Sequence, residues 1–171
     1  MATNSSKLQF VKDFANDKII VTRHFDADVE TVWNMWTRQE LLDLWWAPRP
    51  WRSETKEMNF KNGGRRLYVM VGPNNERHWA IGDFSNIIPL KSFEVRDGFT
   101  DENGMINKDM PQTDWKLSFE KSGNGTKVII ILLGPGSQLS KLVEMGFQEG
   151  FTMALENLDE VLASKASAKK K

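Results

Sequence analysis

At 171 residues, with 40% hydrophobic and 11% aromatic residues, the chain reads as one folded domain, which excludes wholesale disorder. Its 23 basic residues balance its 23 acidic ones, which argues against a generic nucleic-acid binder. It has no cysteine, so disulfides and thiolate-bound metals are excluded and a reducing cytoplasm is the expected setting; no run reaches the ~18 apolar residues of a membrane span, and the N-terminus has no apolar run of signal-peptide length.

Residues 1–16 read as an N-terminal extension, residues 17–163 as the domain and residues 164–171 as a flexible basic tail. Within the extension, Leu8, Phe10, Val11 and Phe14 are ambiguous between a short packed element and loose chain. Lys18 to Phe25 is rich in β-branched residues and predicts a strand. Val29, Val32, Trp33 and Trp36 then fall on one helical face, with Asp26 or Asp28 suited to cap its start. Thr37-Arg38-Gln39-Glu40 has the form of a capping box opening a second short helix, with Leu41, Leu44 and Trp45 on its apolar side and Pro48 and Pro50 ending it.

Four of the seven tryptophans lie in this stretch, at Trp33, Trp36, Trp45 and Trp46, with Trp51 just beyond. Each buried ring removes roughly 150–250 Å² from water, about 4–6 kcal/mol before entropic costs. So much aromatic surface in one place points to a large core, a ring-lined hollow or an adhesive partner surface.

Six strand signals follow, separated by turns: Trp51–Phe60, Arg65–Val71, Arg77–Ile88, Ser92–Thr100, Thr113–Glu120 and Thr126–Leu133. The last two are joined through Gly123-Asn124-Gly125, a hairpin signature. Strands in succession without helices predict an antiparallel meander. Gly134-Pro135-Gly136 ends the series, Ser137 is placed to cap, and an apolar stripe from Leu139 to Leu162 predicts one long helix to about Ala163. Gly146 and Gly150 lie on or beside that stripe, where each costs about 1 kcal/mol against alanine in a helix interior. Close backbone packing or room left for a ligand would offset that cost.

The order is α+β: strand, two short helices, six strands, long helix. Together with Arg23-His24-Phe25-Asp26-Ala27, Val32-Trp33, Trp36-Thr37, Leu41 and Trp45-Trp46-Ala47-Pro48, it resembles the activator-of-heat-shock-protein-90-ATPase-like group of the START-like, birch-pollen-allergen-like superfamily. Gly63-Gly64, Gly82-Asp83-Phe84, Gly125-Thr126 and Gly150-Phe151 also match, so the resemblance spans Ile19 to Leu162. It implies a helix-grip fold: a curved antiparallel sheet wrapped around the C-terminal helix, with an apolar cavity between them. It further implies small hydrophobic or lipid-like ligands, and in some superfamily members cyclase chemistry. Two departures stand out: Asp28 replaces the usual proline, and Phe151 replaces the usual tryptophan and so lacks its N–H donor.

No nucleophile elbow, phosphate loop or dinucleotide fingerprint is present, and His24 and His78, on different strands, are too few for a metal site, so no cofactor and no metal are expected. Strand alternation selects Tyr68 and Met70 on one face, Trp79 with Ile81, Phe84 on the face opposite to them, and Trp115 with Leu117 and Phe119. The helices contribute Trp36, Trp45, Trp46, Phe147 and Phe151, while Met70, Met145 and Met153 would make the walls adaptable. Arg23 shares a face with Val21 and Phe25, as a structural ion pair or as an inward anchor for a ligand acid. The expected function is binding of a small hydrophobic or aromatic molecule, with Tyr68, Arg23 and His78 as orienting groups. A chaperone partner or a homodimer, using an exposed Trp45, Trp46 and Trp51 patch, is the alternative. A cavity enzyme using Asp83, His78 and Tyr68 is the third reading.

Overall fold

The computed structural model describes residues 7–169, with side-chain surroundings described through residue 165. Strand β1 (Leu8–Asp13) and a 3-10 turn (Phe14–Asn16) lead into β2 (Lys18–Phe25). Helices α1 (Val29–Thr37) and α2 (Gln39–Leu42) follow, then β3 (Arg52–Met58), β4 (Arg65–Val71), β5 (Arg77–Ile88), β6 (Ser92–Thr100), β7 (Thr113–Ser122) and β8 (Gly125–Leu133). Helices α3 (Gly136–Glu144) and α4 (Phe147–Lys169) complete the chain. No helix among the described residues is long and apolar enough to cross a membrane.

The eight strands form one antiparallel sheet in the order β1-β2-β8-β7-β6-β5-β4-β3. The meander pairs β3 through β8 in succession, and β2 closes against β8 with Phe25 opposite Thr126. Alternation is strict in β2: Ile19, Val21, Arg23 and Phe25 are buried and the residues between are not. The inner face meets Leu155, Leu158 and Leu162 of α4 and the aromatic side of α1, giving a core that contains Trp33, Trp36, Trp45, Phe93 and Phe119. The α+β helix-grip architecture expected from the element order is the one present.

One open reading resolves and three local expectations are revised. The ambiguous Leu8–Phe14 stretch adds β1 as an edge strand, pairing Leu8 with Arg23. Thr37 does not cap α2; its hydroxyl donates back to the Trp33 carbonyl at 2.9 Å, and the residue preceding α2 is Arg38, without a side-chain cap. Ser137 does not cap either, because the chain turns at Pro135 and the Gly136 N–H donates to Asp17 at 2.8 Å. The single long helix is two: Gly146 sits between α3 and α4 with φ of +96°, a left-handed conformation that favours glycine. Asp28 does cap α1, accepting the Thr31 N–H at 2.8 Å. The expected basic tail falls largely outside the residues whose side chains are described, although α4 continues through Lys169.

Candidate functional site

The tryptophan-rich stretch divides by depth. Trp33 is ringed by Phe60, Phe93 and Phe119 at centroid distances of 5.9, 5.5 and 5.1 Å and belongs to the core. Trp45 is 1% exposed and donates its indole N–H to the Met35 carbonyl at 2.9 Å. Trp46, one residue later, packs edge-on against Trp45 at 5.3 Å and on its far side meets Tyr68, Trp115 and Phe151 at 6.3, 6.0 and 6.2 Å. Trp51 packs beside His78 at 5.1 Å.

Beside Trp46 lies a cavity of about 300 Å³ between the sheet and the two C-terminal helices. Trp46 and Pro48 form one side, and Tyr68, Met70, His78, Ala80, Asp97, Phe99 and Trp115 of the inner sheet face form the floor. Leu142, Met145, Gly146, Phe147, Gly150 and Phe151 form the helical side. Gly150 is the position in α4 where a side chain would enter: a Cβ there would meet only Pro48 Cγ, at an ordinary 3.7 Å. The Asn157 side chain of α4 donates to the Ala47 carbonyl at 3.0 Å, tying the helix to the segment that carries Trp46 and Pro48.

A smaller chamber of about 40 Å³ lies deeper and shares Trp46, Tyr68, Asp97 and Trp115 with the first. Its other walls include Trp36, Arg66, Gly82, Phe84 and Phe93. A space of that size admits a few water-sized groups. Register explains it: Arg66 pairs with Gly82, and Gly82 with Asp97, so these three positions run across the sheet on one face. A Cβ at Gly82 would come within 2.7 Å of Val95 Cγ1, so glycine both fits there and leaves the space between Arg66 and Asp97 open.

The polar groups are unequal in their partners. Arg66 is 4% exposed and held by an ion pair to Asp43 at 3.1 Å, with further donations to Ser53 at 2.9 Å and Thr55 at 3.1 Å. Asp43 is itself satisfied by the Ser53 and Thr55 hydroxyls and the Thr55 N–H. The guanidinium lies 3.9 Å from the Tyr68 ring centroid, a cation–π contact. Burial lowers the Arg66 pKa, opposed by Tyr68 and Asp43, yet a guanidinium remains charged. Tyr68 accepts the Trp46 indole N–H at 3.0 Å, and burial, reinforced by the nearby Asp97 charge, raises its pKa and keeps the phenol neutral.

Asp97 contrasts with these. It lines both chambers, takes the Gly98 N–H, and makes no hydrogen bond or ion pair to a side chain among the described residues. Burial pushes its carboxyl up to about 7, against the opposing pull of Arg66 and the Gly98 N–H. The Trp36 indole nitrogen is buried without a hydrogen-bond partner.

Of the residues selected from the sequence, Trp36, Trp46, Tyr68, Met70, His78, Phe84, Trp115, Phe147 and Phe151 line one chamber or both. Three do not. Trp45 is spent on the core, as above. Trp79 is on the outer sheet face, where Lys56 lies 5.6 Å above its ring and donates to the Glu102 carbonyl of the loop folded over that face. Arg23 is inward and 2% exposed, but it lies against Phe25 and 3.6 Å from Asp159 of α4, away from both chambers. Asp83 is exposed, paired in register with Arg65 and Arg96 rather than facing the cavity. The site residues that were not selected, Asp97 and Arg66, did carry a signal. Asp97 continues the inward phase of Phe93 and Val95 toward Phe99, and Arg66 that of Tyr68 and Met70. Among the described residues no group of three or more His, Asp or Glu side chains could hold a metal ion.

The family model described as Activator of Hsp90 ATPase homolog 1-like protein matches residues 26–163. Among solved structures, a protein from Arthrobacter aurescens is 31% identical, with 91% of each chain covered and a TM-score of 0.86. One from Staphylococcus epidermidis is 25% identical, with 92% of this chain and 94% of that one covered at a TM-score of 0.80. One from Mycobacterium smegmatis shares the fold at 24% identity and a TM-score of 0.83, covering 90% of this chain and 95% of that one. No curated protein matches the sequence.

Proposed function

The chain belongs to the Activator of Hsp90 ATPase homolog 1-like family, and from that premise we propose that it binds a small, largely apolar or aromatic molecule between its sheet and its C-terminal helices. The observation supporting this most strongly is the 300 Å³ cavity itself, at the lower end of the range of small-molecule sites. Its walls fit the occupant. Trp46, Trp115, Phe147 and Phe151 offer ring faces and edges, Met70 and Met145 offer adaptable surface, and the polar groups are few, with Tyr68 and Asp97 toward the inner end and His78 toward the other.

The patch needed for docking a protein through Trp45, Trp46 and Trp51 has no counterpart, since Trp45 is buried and Trp46 faces the cavity. A cavity site is therefore the better use of these rings.

The test is a fluorescence titration with N-phenyl-1-naphthylamine, a neutral apolar probe, against the wild type and Gly150→Trp. Saturable binding to the wild type and none to the folded variant is expected. Equal binding to both would remove the cavity as the site.

A further inference from the structure

We infer that the inner chamber selects a neutral head group that both donates and accepts a hydrogen bond, a carboxamide or an alcohol, with Asp97 as its acceptor, and that it rejects both a free carboxylate and an ammonium group. This deepens the cavity-binding reading and rests on it.

The inventory of polar groups sets the selection. Asp97 is the carboxyl that lines both chambers, so it stands where the apolar space meets the polar end. It is partly exposed, opens on the cavity and has no side-chain partner among the described residues, so a ligand that displaces solvent there must supply a donor in its place. The remaining groups are donors. The Tyr68 oxygen already accepts from Trp46, which leaves its O–H to donate. The Trp36 indole N–H is buried without a partner. Nε and Nη2 of Arg66 are committed to Thr55, Asp43 and Ser53, whereas Nη1 bonds to no group among the described residues. Gly82 keeps the space between this donor side and Asp97 unfilled.

Charge then excludes the ionic heads. The Arg66 cation is matched by Asp43, so a ligand carboxylate would add a second uncompensated negative group beside Asp97. An ammonium could meet Asp97, but it offers no acceptor to Tyr68, Trp36 or Arg66 and would lie in the field of the guanidinium. A carboxamide has one edge for each side.

The experiment is calorimetric titration at pH 8, where Asp97, raised by burial to about 7, is ionised, with three probes on one apolar body: 1-naphthaleneacetamide, 1-naphthaleneacetate and 1-naphthylmethylamine. The wild type is expected to bind the amide at least tenfold more tightly than either ion. Asp97→Leu is expected to weaken the amide about ten- to hundredfold, as the loss of one hydrogen bond to a charged group implies, while N-phenyl-1-naphthylamine still binds. Asp97→Asn keeps an acceptor but loses the charge, so it is expected to bind the amide while losing the discrimination against the acetate, a readout that stands should the leucine variant melt early. If N-phenyl-1-naphthylamine binds but the three heads are indistinguishable, or the amide preference survives in both variants, the head-group selection is wrong and the cavity reading stands. If no probe binds the wild type, both fall.

Discussion

Replacing Asp97 with asparagine should change how stability depends on pH. In the folded chain burial raises this carboxyl from its ordinary 3.8 to about 7. Between those values the folded state holds a proton that the unfolded state has released, so stability falls as pH rises through the interval. The penalty is absent below pH 3.8 and complete above pH 7. At 1.36 kcal/mol per pKa unit it reaches on the order of 4 kcal/mol, a ceiling because the cavity gives the carboxyl some access to solvent. Asparagine cannot ionise, so Asp97→Asn should match the wild type near pH 4 and exceed it by up to that amount at pH 8. For a domain of this size that is a Tm advantage of up to about 8–16 °C at pH 8. Urea unfolding of both proteins at pH 4, 5.5, 7 and 8 is the assay, and the difference between the curves isolates this group from every other titration. Parallel curves would refute the reasoning, and so would an advantage that grows toward acid.

Three other substitutions have expected outcomes. Asp43→Ala leaves the Arg66 guanidinium charged and buried without its counter-ion, so chemical denaturation should show a loss of about 3–5 kcal/mol. Gly150→Ala replaces a glycine in the first turn of α4 where a Cβ meets only Pro48 at 3.7 Å, and should gain up to about 1 kcal/mol, or up to about 2–4 °C by calorimetry, with probe binding retained. Arg23→Met removes a guanidinium whose Nη2 has no hydrogen bond and whose Asp159 partner is 3.6 Å away; stability should change little or rise, and titration should show unaltered probe affinity.

Much of the fold was legible because its signals are local. The six strands from β3 to β8 are short runs set off by turn residues, several of them alternating, and the α1 stripe of Val29, Val32, Trp33 and Trp36 is periodic. The edge strand β1 was less legible, since half-exposed residues alternate weakly. The break at Gly146 was hidden because the apolar stripe continues on both sides of it, and one positive φ leaves no mark on hydrophobic spacing. At the site, rings were readable by type but not by direction. Trp45 and Trp46 are adjacent, yet one enters the core and the other the cavity, a choice made by the last turn after α2 and the Trp45 bond to Met35. Alternation puts Trp79 with Ile81 and opposite Phe84 but does not say which of the two faces is inner; only the loop after β6 shows that the Trp79 face is the outer one. Asp97 was passed over as one of 23 acidic residues, and only its strand phase distinguished it.

The most direct test of cavity binding is a two-dimensional 15N NMR titration of the seven tryptophan indole N–H signals with 1-naphthaleneacetamide, assigned by single Trp→Phe variants. The Trp36 and Trp46 signals should shift together and saturate, while those of the outer Trp79 and the core Trp45 stay in place. Saturable shifts confined to Trp51 and Trp79, with Trp46 unmoved, would put the binding surface outside the sheet and contradict the cavity site.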